Sequence, residues 1–99
     1  MIVVRITDTN LSVSGHSNDT VEEKTEESIQ ACASVTALVQ TLLFGLIDTE
    51  PSQVDYEITH GWFWLDMEYL AESSLFLIHV FKLGITALAD AYPQYITVK

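Results

Sequence analysis

The chain has one cysteine, so no internal disulfide can form and the disulfide-stapled class of small secreted domains is excluded. Positive charge is scarce too. Four Lys and Arg stand against 14 Asp and Glu, a formal charge of −10, which excludes a nucleic-acid surface of the usual basic kind and disfavours anionic membranes. A basic peptide partner fits that charge. With only 4 Gly and 2 Pro among 99 residues, 48% of them hydrophobic, this is a globular chain of one-domain length spanning 1–99. One Cys and three scattered His lack metal-ligand spacing, so no metal or cofactor is expected. The N-terminus Met1-Ile2-Val3-Val4-Arg5-Ile6 alternates like a strand and lacks a leader-and-cleavage pattern, which points to the cytoplasm.

What is present centres on the uncharged stretch from Ile29 to Ile47. Apolar residues at 35, 38, 39, 42, 43 and 46 follow the i, i+3, i+4, i+7 spacing of a helix, and Ala31, Ala33, Ser34 and Ala37 leave room for close neighbours. Its Gln, Thr and Ser residues and the absence of positively charged flanks favour a buried central helix over a membrane span. Cys32 sits at its front. Where the helix begins bears on chemistry. Ser28 directly precedes the apolar run, whereas Thr20 with Glu23 matches a capping box. A start at Ser28, the favoured reading, leaves Cys32 near the positive end of the helix dipole, with a polar loop over 17–27. A start at Thr20 leaves it three turns in.

Around this helix the chain predicts two short strands before it, Ile2–Thr7 and Leu11–Ser14, the second ending at Gly15-His16. After it, His60-Gly61 reads as the tip of a hairpin between 53–59 and 62–68. Pairing Ile58 with Phe63, Tyr56 with Leu65 and Val54 with Met67 gathers six apolar residues on one face. The other face carries Trp62 and Trp64, which need cover or a partner. A second helix runs from about Ala71 to Tyr92, apolar nearly all round at Leu75–Ile78, with Gly84 marking close packing and His79 an ordinary partly exposed residue. Gln94–Lys99 closes the chain as a strand. The order is ββα-ββ-α-β, an α+β single domain with one mainly antiparallel sheet and two long helices.

A thiol and an imidazole are the minimum for nucleophilic cysteine chemistry, the imidazole taking the thiol proton and the thiolate attacking a carbonyl. One Cys and three His in any protein are thin grounds for that, and an inert buried Cys is the ordinary alternative. The pattern Val13-Ser14-Gly15-His16-Ser17, then Cys32-Ala33-Ser34-Val35-Thr36-Ala37-Leu38, then Gly45-Leu46, resembles the bacterial ribosomal-processing cysteine protease family. In that family a Gly-His at a strand's end faces a Cys-Ala-Ala-Val-Ser-Ala helix start. The resemblance implies a homodimeric cysteine endopeptidase that removes the N-terminal extension of a large-subunit ribosomal protein in Firmicutes-like bacteria. By the same analogy Cys32 is the nucleophile, His16 the base, and Gly15, Ser17 and Thr36 contact substrate.

This chain departs from the family pattern: Thr36 stands where the family has Ser, and the interval from His16 to Cys32 is a few residues longer. Ile29-Gln30-Ala31 stands where the family has Asp-Ile-Val, and Glu22, Glu23, Glu26 and Glu27 replace a Gly-rich interval. Nearby carboxylates disfavour a thiolate. The alternative function is therefore a diverged, catalytically weak or inactive member acting as a dimeric binding module. Two apolar helices and two Trp exceed what one domain of this size covers by itself, which also predicts a symmetric homodimer.

Overall fold

The computed structural model describes residues 1–15, 25–50 and 54–99. Seven elements follow the predicted order: β1 (Ile2–Ile6), β2 (Asn10–Ser14), α1 (Glu26–Thr49), β3 (Asp55–Thr59), β4 (Trp62–Asp66), α2 (Glu72–Ala91) and β5 (Ile96–Val98). They form one five-stranded sheet in the order β3-β4-β2-β1-β5. Every pairing is antiparallel except that of β1 with β5, which α2 makes possible by returning the chain to the far edge. The α+β architecture expected from the sequence is the one observed.

Alternation sorts the strands into two faces. Val4 pairs with Val13, Val13 with Phe63, and Leu11 with Leu65, so one inward row crosses three strands. Those residues and Ile2 and Ile96 are buried against Val35, Val39, Leu42, Leu43 and Leu46 of α1 and Ile78, Phe81 and Ile85 of α2. The outer face carries Arg5, Ser12, Trp64 and Glu57 in one cross-strand row, opposite the face that the two helices cover. Trp64 is half-buried there between its neighbours, whereas Trp62 at the hairpin end stays 38% exposed.

The hairpin has the predicted register, with Ile58 opposite Phe63, Tyr56 opposite Leu65 and Thr59 opposite Trp62. Gly61 has φ 79° and no described non-glycine residue has a positive φ. That is the pattern of a type II turn with glycine in its second central position, and it accepts His60 in the first. Burial of the inner face is less complete than the alternation suggests. Phe63, Leu65 and Met67 are buried, but Tyr56 and Ile58 on the edge strand β3 are exposed, because two helices do not reach across five strands.

The helices pack antiparallel through glycines. A Cβ on Gly84 of α2 would lie 3.3 Å from Leu38 Cδ1 of α1, and one on Gly45 of α1 would lie 3.4 Å from Leu77 Cδ1 of α2. At the other end, the Glu50 carboxylate accepts from the Ala71 amide at 3.1 and 3.2 Å, so the residue that ends α1 caps the start of α2.

The start of α1 corrects the favoured sequence reading: the helix is capped three residues before Ser28. Thr25 is the N-cap: its hydroxyl accepts from the Ser28 amide at 3.0 Å, and the Ser28 hydroxyl accepts from the Thr25 amide at 3.1 Å. Ser28 plays the part that Glu or Gln takes in the usual capping box, and it is 1% exposed. The Tyr95 phenol, just before β5, lies 3.2 Å from the Thr25 hydroxyl, and the Tyr92 phenol donates to Gln30 at 3.3 Å. The end of the chain thus braces the beginning of α1.

Candidate active site

One cleft of about 300 Å³ opens where the inner face of the sheet runs out from under α1. Its helical wall is Cys32, Val35, Thr36, Val39 and Gln40, successive turns along one side of α1. Its sheet wall is Ile58, Phe63 and the hairpin tip Thr59-His60-Gly61-Trp62, with Ile2, Val13 and Gly15 completing the floor and end. The floor is apolar, and the few polar side chains sit at the walls, the usual composition of a site that binds an organic ligand.

Cys32 is half-buried in this cleft and is the seventh helical residue. Thr36 lies one turn on, and its hydroxyl donates to the Cys32 carbonyl at 2.8 Å. This bond ties the Thr36 side chain to the backbone at Cys32, and it commits the Thr36 proton to the helix. With the helix starting at Glu26, Cys32 stands a full turn beyond the first-turn amides, and the dipole effect expected for a Ser28 start fades over that distance. The first turn also carries Glu26 and Glu27, whose charge favours the helix and opposes an anion beside it.

Gly15 closes the end of the cleft with φ 88°, a conformation that L side chains rarely adopt. Its amide donates to the Gly61 carbonyl at 2.9 Å, fastening the end of β2 to the tip of the β3–β4 hairpin. Of the residues singled out from sequence, Cys32, Thr36 and Gly15 therefore meet at one site. His16 and Ser17 lie outside the described residues, as does the Thr20–Glu23 pair and most of the expected loop over 17–27. Thr25, Glu26 and Glu27 at that loop's end belong instead to the cap and first turn of α1.

The sequence reading passed over His60, Gln40 and Thr59. His60 had been recognised only as a turn residue. Its pairing with glycine at a hairpin tip was legible, but that this tip faces Cys32 depends on strand order. No described group of three or more His, Cys, Asp or Glu could hold a metal ion.

The fold has solved counterparts. The ribosomal processing protease Prp from S. aureus, in complex with a covalently linked product peptide, superimposes with a TM-score of 0.79 at 15% identity, over 100% of this chain and 98% of that one. The same protease with a substrate peptide gives 0.78 at 11%, over 99% and 95%. SMU.848 from Streptococcus mutans gives 0.75 at 23%, over 99% and 90%. At these identities what is shared is the fold. No curated protein matches the sequence. The family model of the cysteine protease Prp matches residues 1–97, nearly the whole chain. A match of that extent, on a fold that sets a half-buried cysteine in a cleft, shows that the chain belongs to the cysteine protease Prp family.

Proposed function

We propose that this chain is a cysteine endopeptidase that cuts the N-terminal extension from a ribosomal protein precursor, with Cys32 as nucleophile and His16 as base. The placement of Cys32 in the cleft, beside Gly15 and hence beside the residue that precedes His16 in the chain, is the observation that carries this reading. The His16 imidazole takes the thiol proton, and the Cys32 sulfur attacks the scissile carbonyl carbon. His16 then returns the proton to the leaving amine, and water hydrolyses the thioester. Gly15, Ser17 and Thr36 contact the substrate in this scheme. A basic extension suits a protein of charge −10, and ribosome assembly places the work in the cytoplasm.

The test is a synthetic peptide spanning the extension, incubated with wild type, Cys32→Ala and His16→Ala. Cleavage by wild type alone is the expected result. An intact peptide with wild type, together with resistance of Cys32 to alkylation at neutral pH, overturns the proposal.

The seventh-residue position of Cys32 and the acidic first turn favour one alternative, a family member that holds its partner without cutting it. Equal recovery of uncut precursor by wild type and Cys32→Ala in a pulldown supports that alternative.

The active species is a symmetric homodimer in this proposal. Phe76, Val80 and Leu83 recur at i, i+4 and i+7 on the solvent side of α2 and are 63%, 48% and 60% exposed. Phe44 of α1 adds to them at 65%. A second copy laying its own α2 across this stripe buries it in an isologous contact.

A further inference from the structure

We infer that Gln40 is a substrate-binding residue whose side-chain amide hydrogen-bonds the main chain of the peptide two helical turns from Cys32. The inference rests on the peptidase reading and adds to it a contact remote from the scissile bond. Gln40 lines the same cleft as Cys32, on the same helix α1. The rise from one to the other is about 12 Å along the helix axis. An extended peptide advances about 3.3 Å per residue. One that presents a carbonyl to Cys32 therefore passes Gln40 about three or four residues from that carbonyl.

The other polar side chains of the cleft are engaged or face elsewhere. The Thr36 hydroxyl proton is given to the Cys32 carbonyl at 2.8 Å. His60 holds an interaction of its own. Thr59 and Trp62 pair on the outer side of the hairpin, since their neighbours Ile58 and Phe63 pair on the inner side. The Gln40 side chain makes no hydrogen bond among the described residues. Val35 and Val39 are the buried edge of the helical wall, whereas Thr36 and Gln40 are exposed and form its rim.

A peptide in the cleft loses water from its main chain over an apolar floor, and those groups need partners. A carboxamide offers both kinds, an N–H donor and a carbonyl acceptor. The N–H and C=O of one residue in an extended chain point to the same side, so a single Gln side chain answers both, as a neighbouring strand does. Such a contact ignores the substrate side chain at that position. It senses instead how far the peptide extends from the bond that is cut.

The experiment measures the affinity of a precursor peptide spanning the cut for Cys32→Ala, with and without Gln40→Met. Met keeps an unbranched, flexible side chain and removes the amide. The second arm uses the same peptide N-methylated singly at the third or fourth residue on either side of the scissile bond. Losing a pair of ordinary hydrogen bonds corresponds to about tenfold in binding. Gln40→Met is expected to bind the parent peptide about tenfold more weakly. N-methylation at one of those positions weakens binding to Cys32→Ala comparably, and most of that effect disappears once Gln40 is replaced. With Cys32 present and no peptide added, Gln40→Met leaves the alkylation rate within about twofold of wild type. Equal affinity with and without Gln40→Met overturns the inference, as does a peptide that neither protein binds. Additive effects of Gln40→Met and of every N-methyl group overturn it too, since Gln40 then acts without touching the main chain. A changed alkylation rate overturns it as well, because the substitution then disturbs α1 at Cys32. If wild type cleaves but affinity ignores Gln40, this inference alone fails. If affinity depends on Gln40 but wild type never cleaves, the peptidase reading fails instead.

Discussion

The amide of Gly15 donates to the carbonyl of Gly61 across 2.9 Å, and this bond joins two parts of the chain that sequence separates by nearly half its length. Each glycine has a positive φ, and each adjoins a histidine in the chain, His16 after the first and His60 before the second. A side chain at either position strains the backbone where β2 ends and the hairpin turns. The end wall of the cleft depends on both.

Thr25→Ala removes the hydroxyl that caps α1 and the contact with the Tyr95 phenol. The expected cost is about 1 kcal/mol. In a domain of this size that lowers the melting temperature by about 4–8 °C. Thermal unfolding followed by circular dichroism checks it, and an unchanged midpoint contradicts the capping box.

Gly84 tests the helix interface by contrast between two substitutions. In Gly84→Ala the new methyl meets the flexible tip of Leu38 at 3.3 Å, and the gain in helix propensity, about 1 kcal/mol, offsets the crowding. Gly84→Leu has no such room and forces α2 away from α1, costing about 1–3 kcal/mol. Denaturant midpoints measure both. If the Leu variant matches wild type, the helices do not meet at this residue.

Phe76→Asp sets a charge at one end of the exposed α2 stripe. The expected outcome is loss of the dimer: wild type scatters light at twice the 11.1 kDa monomer mass at micromolar concentration, and the variant scatters at that mass. A wild type of monomeric mass refutes the assembly. An unaltered dimer in Phe76→Asp moves the interface elsewhere, the outer face of the hairpin around the 38% exposed Trp62 being the alternative.

Much of this protein was legible in sequence because its signals are local. The period-two alternation of Ile2, Val4 and Ile6, the helical spacing from Val35 to Leu46, and the glycine after His60 each act over a few residues, and each produced the expected element. The pairing of Ile58 with Phe63 followed from the turn length alone. The pattern around Gly15 and Cys32 likewise carries the family resemblance in sequence alone.

Tertiary structure decided the rest. Thr25 became the cap of α1 because Ser28 answers it within the turn and Tyr95 reaches it from the far end of the chain, and propensity over a few residues does not report the latter. Tyr56 and Ile58 share the core-facing side of the hairpin yet lie exposed, because their strand is at the sheet edge and the helices end short of it. The hairpin tip at His60 came to line the same cleft as Cys32 only because β4 pairs with β2, a contact between segments some fifty residues apart. Local chemistry sets which elements form and which face of each is apolar. Which faces stay open, and which side chains meet across them, is settled when the elements compete for the same limited cover.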